Sequence, residues 1–306
     1  MPSPLDQLSA GTLDWLGKNL EHFDPFSPSG RSAAHVEAKA ALELALLCHC
    51  AARLDGAPDS LAEAAALVRT LWQRPDFPGL FDAHPGHASS YGLIYAALAP
   101  EGIDDTSCRS RLAGLDPDFL SPVGKTPYQR IETRYYADKA GARHGIEPYS
   151  ELAPRSPLVA PDTPVRGSGD AAPLTGPQAY ALTHTAFYLG DFGRTGPGLT
   201  GHALTRSRDL VCRMLRHCVE HDEWDLAAEL VLTQFILGVE PLRTASGAAA
   251  VECLVRAQLP DGALPGRSAT LRAADSDPAG EFFAKAYHTT LVTALMTLVV
   301  SSARPS

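Results

Sequence analysis

Two kinds of helix alternate along this chain, and that alternation constrains the fold more than any other feature of its sequence. One kind is amphipathic and charged on one side, as in the stretch from Leu61 to Arg69; the other is apolar nearly all round. The second kind includes Ala40 to Leu47, Ser90 to Leu98, Leu226 to Leu232 and Thr289 to Met296. A helix that is apolar on every side has to be surrounded by protein. Half-wet helices alternating with buried ones are what an inner ring enclosed by an outer ring requires. Apolar spacing predicts helices over about 5–21, 35–53, 59–74, 87–98, 105–113, 127–140, 177–190, 204–220, 223–237, 245–257 and 280–301. The β-rich stretches are too short or too broken by proline to make a sheet. Pro100, Pro117, Pro127, Pro177 and Pro241 fall at or near helix ends and first turns, where a fixed φ and a missing N–H do least harm. The expected architecture is therefore all-α: an α/α-toroid, a closed or partly closed ring of about five to six helical hairpins. No composition break divides the chain, so residues 1–306 are expected to form one domain.

Charge and composition exclude some classes of function. A formal net charge of −9 with scattered basic residues disfavours nucleic acid, whose binding depends on clustered Lys and Arg. Arg130, Arg134 and Lys139 make the nearest thing to a basic stripe, interrupted by Glu132 and Asp138. The longest apolar stretch, Thr289 to Val300, falls short of the roughly 18–20 residues that span a bilayer, so no membrane association is expected. Met1 to Asp6 does not read as a secretory signal, which points to a cytoplasmic protein. Most of the six cysteines sit inside apolar helical patterns and fit reduced core thiols.

A proline-rich segment at about 147–176 interrupts the helical pattern, with a shorter excursion between Pro260 and Pro278. The first is too long for a simple connection and reads either as a loosely packed lid over the cavity mouth or as a disordered loop.

Chemistry-bearing residues gather near the buried helices. Polar or aromatic groups stand at their predicted starts: His35 and Glu37, His87 and Tyr91, His184 and Tyr188, Asp222 and Asp225, Tyr287 and His288. Parallel inner helices would bring these groups to one end of the ring, together with the positive ends of several helix dipoles. His184, Tyr188 and Asp191 are spaced i, i+4 and i+7, so one helix would align an imidazole, a phenol and a carboxylate as an acid/base row. Asp225 and Glu229 lie one turn apart on an apolar helix, where paired carboxylates share a proton, bind a cation or divide into acid and base. His288 introduces the last apolar helix and, like His184, is followed by Thr. These observations make His184, Asp191, Asp225, Glu229 and His288 the candidate catalytic residues. Tyr91, Tyr95, Tyr188, Trp224 and Tyr287 are the candidate substrate-binding residues. Each also has an ordinary structural reading, as a helix cap or a satisfied core residue.

Three other motifs carry less. His217-Cys218-Val219-Glu220-His221 fits the H-x-x-E-H pattern of inverted zinc peptidases, but it sits on a charged, half-exposed helix. Cys48-His49-Cys50 looks metal-like, yet adjacent helical residues point in different directions. Gly102-Ile103-Asp104-Asp105-Thr106-Ser107 resembles the D-x-D-D-T-A motif of class II terpene cyclases. Gly102 replaces the first Asp of that motif, and the rest makes a sound helix start.

The run from Val255 to Gly266 is similar to the Gln-and-Gly punctuation of α/α-toroid enzymes such as terpene cyclases and prenyltransferases. Together with Asp14-Trp15-Leu16, Thr126 to Arg130, His184 to Gly193, Trp224-Asp225 and Tyr287 to Thr290, it also resembles an actinobacterial family. That second likeness supplies no reaction. The resulting expectation is an enzyme of specialised metabolism performing acid/base cyclisation, isomerisation or elimination on a small-molecule or peptide intermediate in the toroid cavity. One alternative is a metal-dependent cyclase or hydrolase in which His184, Asp225, Glu229 and His288 ligate one divalent ion. The other is a non-catalytic helical-repeat module that binds a peptide or protein. The sequence leaves the presence of a cofactor and the oligomeric state open.

Overall fold

In a computed structural model of the chain, the described residues are 3–28, 34–54, 59–83, 85–159, 174–266 and 279–302. They are all-α, with no strand among them. The helices expected from apolar spacing all form: α1 (Pro4–Lys18), α2 (Ala34–Ala51), α3 (Ala62–Gln73), α4 (Ala88–Ala97), α5 (Thr106–Ala113), α6 (Pro127–Ala140), α7 (Gly176–Leu189), α8 (Gly201–Glu220), α9 (Trp224–Ile236), α10 (Ala245–Ala257) and α11 (Ala279–Ser302). Local chemistry sets several of their ends. Ser3 and Thr126 cap α1 and α6 in capping boxes completed by Asp6 and Gln129, each followed by proline in the first turn. Gln178 accepts the Thr175 backbone N–H at 3.0 Å and starts α7 in the same way. Gly141, with φ 66°, ends α6 in the left-handed conformation that glycine adopts without steric cost.

The four all-round apolar helices, α2, α4, α9 and α11, join α6 and α7 in one cycle of contacts. α2 packs on α4, α4 on α6, α6 on α7, α7 on α9, α9 on α11, and α11 again on α2. The amphipathic helices lie against this cycle: α1 on α11, α10 and α3; α3 on α2; α5 on α4; and α8 and α10 on α9. One apolar core cluster takes residues from Leu5 to Val300. Within α11, Glu281–Ser302 is long and apolar enough to cross a membrane, with a hydropathy of 1.3, although 72% of that window is buried in the protein. It is longer than the apolar run from Thr289 to Val300 because the helix carries Glu281 and Lys285 in its first turns.

Residues 160–173 of the proline-rich segment, and His35 and Glu37 as side chains, lie outside what is described. The described flanks of that segment are not loosely packed. Leu152 and Ser156 have no exposed surface, Leu158 is 1% exposed, and the Ser207 hydroxyl donates to the Leu158 carbonyl at 2.7 Å. Burial of these apolar side chains overrides the loop-like composition.

The two ends of the chain are pinned to each other at one glycine. A Cβ on Gly262, whose φ is +96°, would stand 2.0 Å from the Gly11 carbonyl oxygen in α1. The Gln258 amide spans the same contact, donating to the Leu8 and Gly262 carbonyls at 3.2 Å. Gly262→Ala is therefore expected to cost roughly 2–4 kcal/mol, read as a lower denaturant midpoint with native helical circular dichroism retained. An unchanged midpoint would contradict the close approach of α1 to this turn.

Candidate active site

The helices in cyclic contact enclose a cavity of about 240 Å³, and each of them contributes to its wall. One region of the wall is charged: Glu43 from α2, Glu132 from α6, His184 from α7, Glu229 from α9 and His288 from α11. The rest is aliphatic and aromatic, including Leu46, Leu47, Phe187, Phe192 and Leu295. Along α2, α7 and α11 the polar residue precedes the apolar ones, so these helices run from the charged region toward the apolar one. Lys39, half-exposed and 3.4 Å from Glu43, marks where the charged region meets solvent.

Glu229 is the centre of the cluster and has no exposed surface. Its Oε1 lies 3.4 Å from His184 Nε2 and 3.7 Å from His288 Nε2, and its Oε2 accepts the Thr183 hydroxyl. Asp225 Oδ1 lies 3.7 Å from the same His288 Nε2 and accepts the Thr289 hydroxyl at 3.1 Å; its Oδ2 accepts the Tyr180 hydroxyl at 2.6 Å. His288 Nδ1 faces Glu43 Oε2 at 3.1 Å. Across the cavity, Tyr128 donates to Glu132 Oε1 at 3.2 Å, and its oxygen stands 3.3 Å from His184 Nδ1. Tyr188 donates to the same Glu132 oxygen at 2.9 Å.

Proximity of opposite charges sets the protonation states. Burial pushes the Glu43 carboxyl up, but His288 and Lys39 outweigh it and hold its pKa at about 2. Glu229 is raised by burial and lowered more by its two histidines, so it stays ionised. Burial disfavours the His288 imidazolium, yet Glu43, Asp225 and Glu229 lift its pKa well above the ordinary histidine value. His184 is raised in the same sense, with burial opposed first by Glu229.

His184, Asp225, Glu229 and His288 thus come together although α7, α9 and α11 carry them separately, and Tyr91 and Tyr188 line the same cavity. His184 and His288 stand well inside their helices rather than in the first turns. The remaining expected site residues do not line the cavity. Tyr95 is buried among Trp72, Phe77 and Phe81; Tyr287 packs against Phe23 and Phe283 with its hydroxyl bonded to Glu43; and Trp224 is buried.

Asp191 needs correction: it does not continue the row of His184 and Tyr188. α7 ends at Leu189, and Asp191, Phe192 and Gly193 turn the chain through φ values of 43°, 53° and 94°. The carboxylate is spent on Arg53, on Lys139 at 3.1 Å and on the Tyr135 hydroxyl at 2.9 Å. Sequence reasoning also passed over Glu43, Glu132, Tyr128 and Lys39. For Glu43 the signal was present, a lone carboxylate in an apolar helix, as with Glu229.

The discounted motifs stay outside the cavity. His217 and His221 stack on each other at 4.0 Å on the outer helix α8, and Asp104 caps α5 by accepting the Thr106 N–H at 2.9 Å. Cys48 and Cys50 do not line the cavity, and burial pushes their thiols up to about 12.

Among the described residues, fold and site together define an all-helical protein with a partly open, largely apolar cavity that is charged over one part of its wall. Residues 9–298 match the family described as a domain of unknown function (DUF6895), and the chain belongs to that family. No curated protein and no solved structure matches it.

Asp191 offers a test of its structural role. Burial raises its pKa, but hydrogen bonds from Arg53, Tyr135 and Lys139 lower it more, to below the usual carboxylate range. A depressed folded-state pKa contributes stability that is fully present above the unfolded value of about 3.9 and is lost as pH falls below it. Asp191→Asn keeps the side chain's shape and tolerates the positive φ. It is expected to lose roughly 2 kcal/mol at neutral pH, with the gap to wild type narrowing below about pH 4. A gap independent of pH would contradict the ion-pair role.

Proposed function

We propose that the chain is an α/α-toroid enzyme of specialised metabolism that cyclises, isomerises or eliminates within a small-molecule or peptide intermediate held in the central cavity. The observation that carries this reading is the division of the cavity wall: a buried cluster of carboxylates and imidazoles over one part, aromatic and aliphatic side chains over the rest. The cycle of helix contacts supports the ring. A cavity with few convergent polar groups binds an apolar skeleton and orients one reactive end of it. Exclusion of water favours the transfer of a proton between substrate and side chain over hydrolysis of a reactive intermediate. His184 and Glu132 line the cavity on opposite sides of Tyr128, so a proton taken at one position of a bound molecule has an acid close to a second position. Lys39 at the edge of the charged region suits a substrate with an anionic substituent near its reactive end.

The test is untargeted mass spectrometry of a producer-cell small-molecule extract incubated with purified protein. Wild type is expected to consume at least one compound and generate an isomer or a dehydrated product. Val292→Trp, which fills the cavity, and Glu229→Gln are each expected to slow that conversion at least about 100-fold. Retention of a compound without conversion would instead establish a binding protein, and conversion undiminished in Val292→Trp would place the chemistry elsewhere.

A further inference from the structure

The spacing inside the charged cluster is long for charged hydrogen bonds and close to that of ligands around a metal. We propose that Asp225, Glu229 and His288 bind one divalent transition-metal ion at the edge of the cavity, with His184 beside the ion rather than on it. This deepens the enzyme reading and rests on it only for the claim that the ion meets a substrate.

Charged N–H···O pairs close to about 2.7–2.9 Å when they hydrogen-bond. Here Glu229 Oε1 stands 3.4 Å from His184 Nε2 and 3.7 Å from His288 Nε2, and Asp225 Oδ1 stands 3.7 Å from His288 Nε2. Ligand atoms each about 2.0–2.2 Å from a common ion are separated from one another by roughly 3 to 3.5 Å, close to these distances. The donor atoms of Asp225, Glu229 and His288 all lie within 4.8 Å of one another.

The outward-facing atoms of the same residues are tied down, as the outer shell of a metal site requires. Glu43 takes the Nδ1–H of His288 at 3.1 Å, which leaves Nε2 as the ligand. Tyr128 gives its proton to Glu132, so its oxygen accepts the Nδ1–H of His184, and Nε2 of His184 faces Glu229. Thr183 holds Glu229 Oε2, and Tyr180 holds Asp225 Oδ2. Asp225 Oδ1 keeps a lone pair for the ion beside the bond from Thr289.

One imidazole with two carboxylates and no thiolate suits an ion such as zinc, iron(II), cobalt(II) or manganese(II) better than calcium. The two carboxylates match its double charge. His184 and His288 retain 30% and 31% of their side-chain surface, and both line the cavity, so the ion would keep an open position toward it.

The experiment is calorimetric titration of Zn²⁺ into chelator-treated protein, with the visible spectrum of Co²⁺ as a second readout. Wild type is expected to bind about one ion per chain with submicromolar affinity. His288→Ala and the near-isosteric Glu229→Gln are each expected to weaken binding at least about 100-fold and to abolish the Co²⁺ bands, with circular dichroism confirming that each variant is folded. The double variant His217→Ala/His221→Ala is expected to bind as wild type does. Absence of stoichiometric binding in wild type, or binding that survives Glu229→Gln and vanishes with His217 and His221, overturns the proposal. Zn²⁺ binding retained in Val292→Trp with conversion lost supports both readings. Conversion that depends on Val292 in a protein that binds no ion leaves the cavity enzyme standing without the metal, and a bound ion with conversion unaffected by Val292→Trp does the reverse.

Discussion

A carboxylate with no exposed surface sits in the middle of an apolar helix, and the cavity is organised around it. An isolated ionised carboxylate in such surroundings is costly by many kcal/mol unless opposite charge and hydrogen-bond donors surround it. Glu229 therefore requires His184 on one side, His288 on the other and the Thr183 hydroxyl behind it. Those groups come from α7 and α11, so the electrostatic requirement of one residue fixes how three helices are rotated about their axes. Glu43 extends the constraint to α2 by holding the far nitrogen of His288, and Tyr128 extends it to α6 through His184 and Glu132.

The packing of the helices makes this arrangement possible. A helix that is apolar on every side can lie only where protein covers it, and the cycle of contacts from α2 round to α11 and back supplies that cover. Charged residues inside such helices then have two outlets, the cavity or a buried partner. Glu43, His184, Glu229 and His288 use both at once: each faces a partner, and each lines the cavity. Asp191 takes the second outlet alone, because the chain leaves the helix before reaching it and turns the carboxylate toward Arg53 and Lys139.

Helix positions were legible in the sequence because apolar periodicity and explicit stop signals, such as the capping box and proline at Thr126 and Pro127, act over a few residues. Part of the site was legible for the same reason, since a polar residue among apolar ones is conspicuous: His184, Glu229 and His288 were all found that way, and Glu43 met the same criterion. Asp191 was misassigned because a helical row was continued past Leu189 through residues with positive φ, and no local pattern announces that Asp and Phe will adopt it. Tyr95, Trp224 and Tyr287 are aromatic as Tyr91 and Tyr188 are, and only tertiary packing decides which ring faces the cavity. Glu132 was read as part of an interrupted charge stripe; its partners Tyr128 and Tyr188 lie one turn away and across a helix interface, and a sequence shows only the first of these relations.

The claim on which the rest turns is that the inward atoms around Glu229 address one point in space. An anomalous difference map from crystals grown with Zn²⁺, recorded on either side of the zinc edge, examines this directly. The expected result is one strong peak about 2.0–2.2 Å from His288 Nε2, Glu229 Oε1 and Asp225 Oδ1. A map without a peak there, with His288 instead closed onto Glu229 at ordinary hydrogen-bond distance, would contradict it.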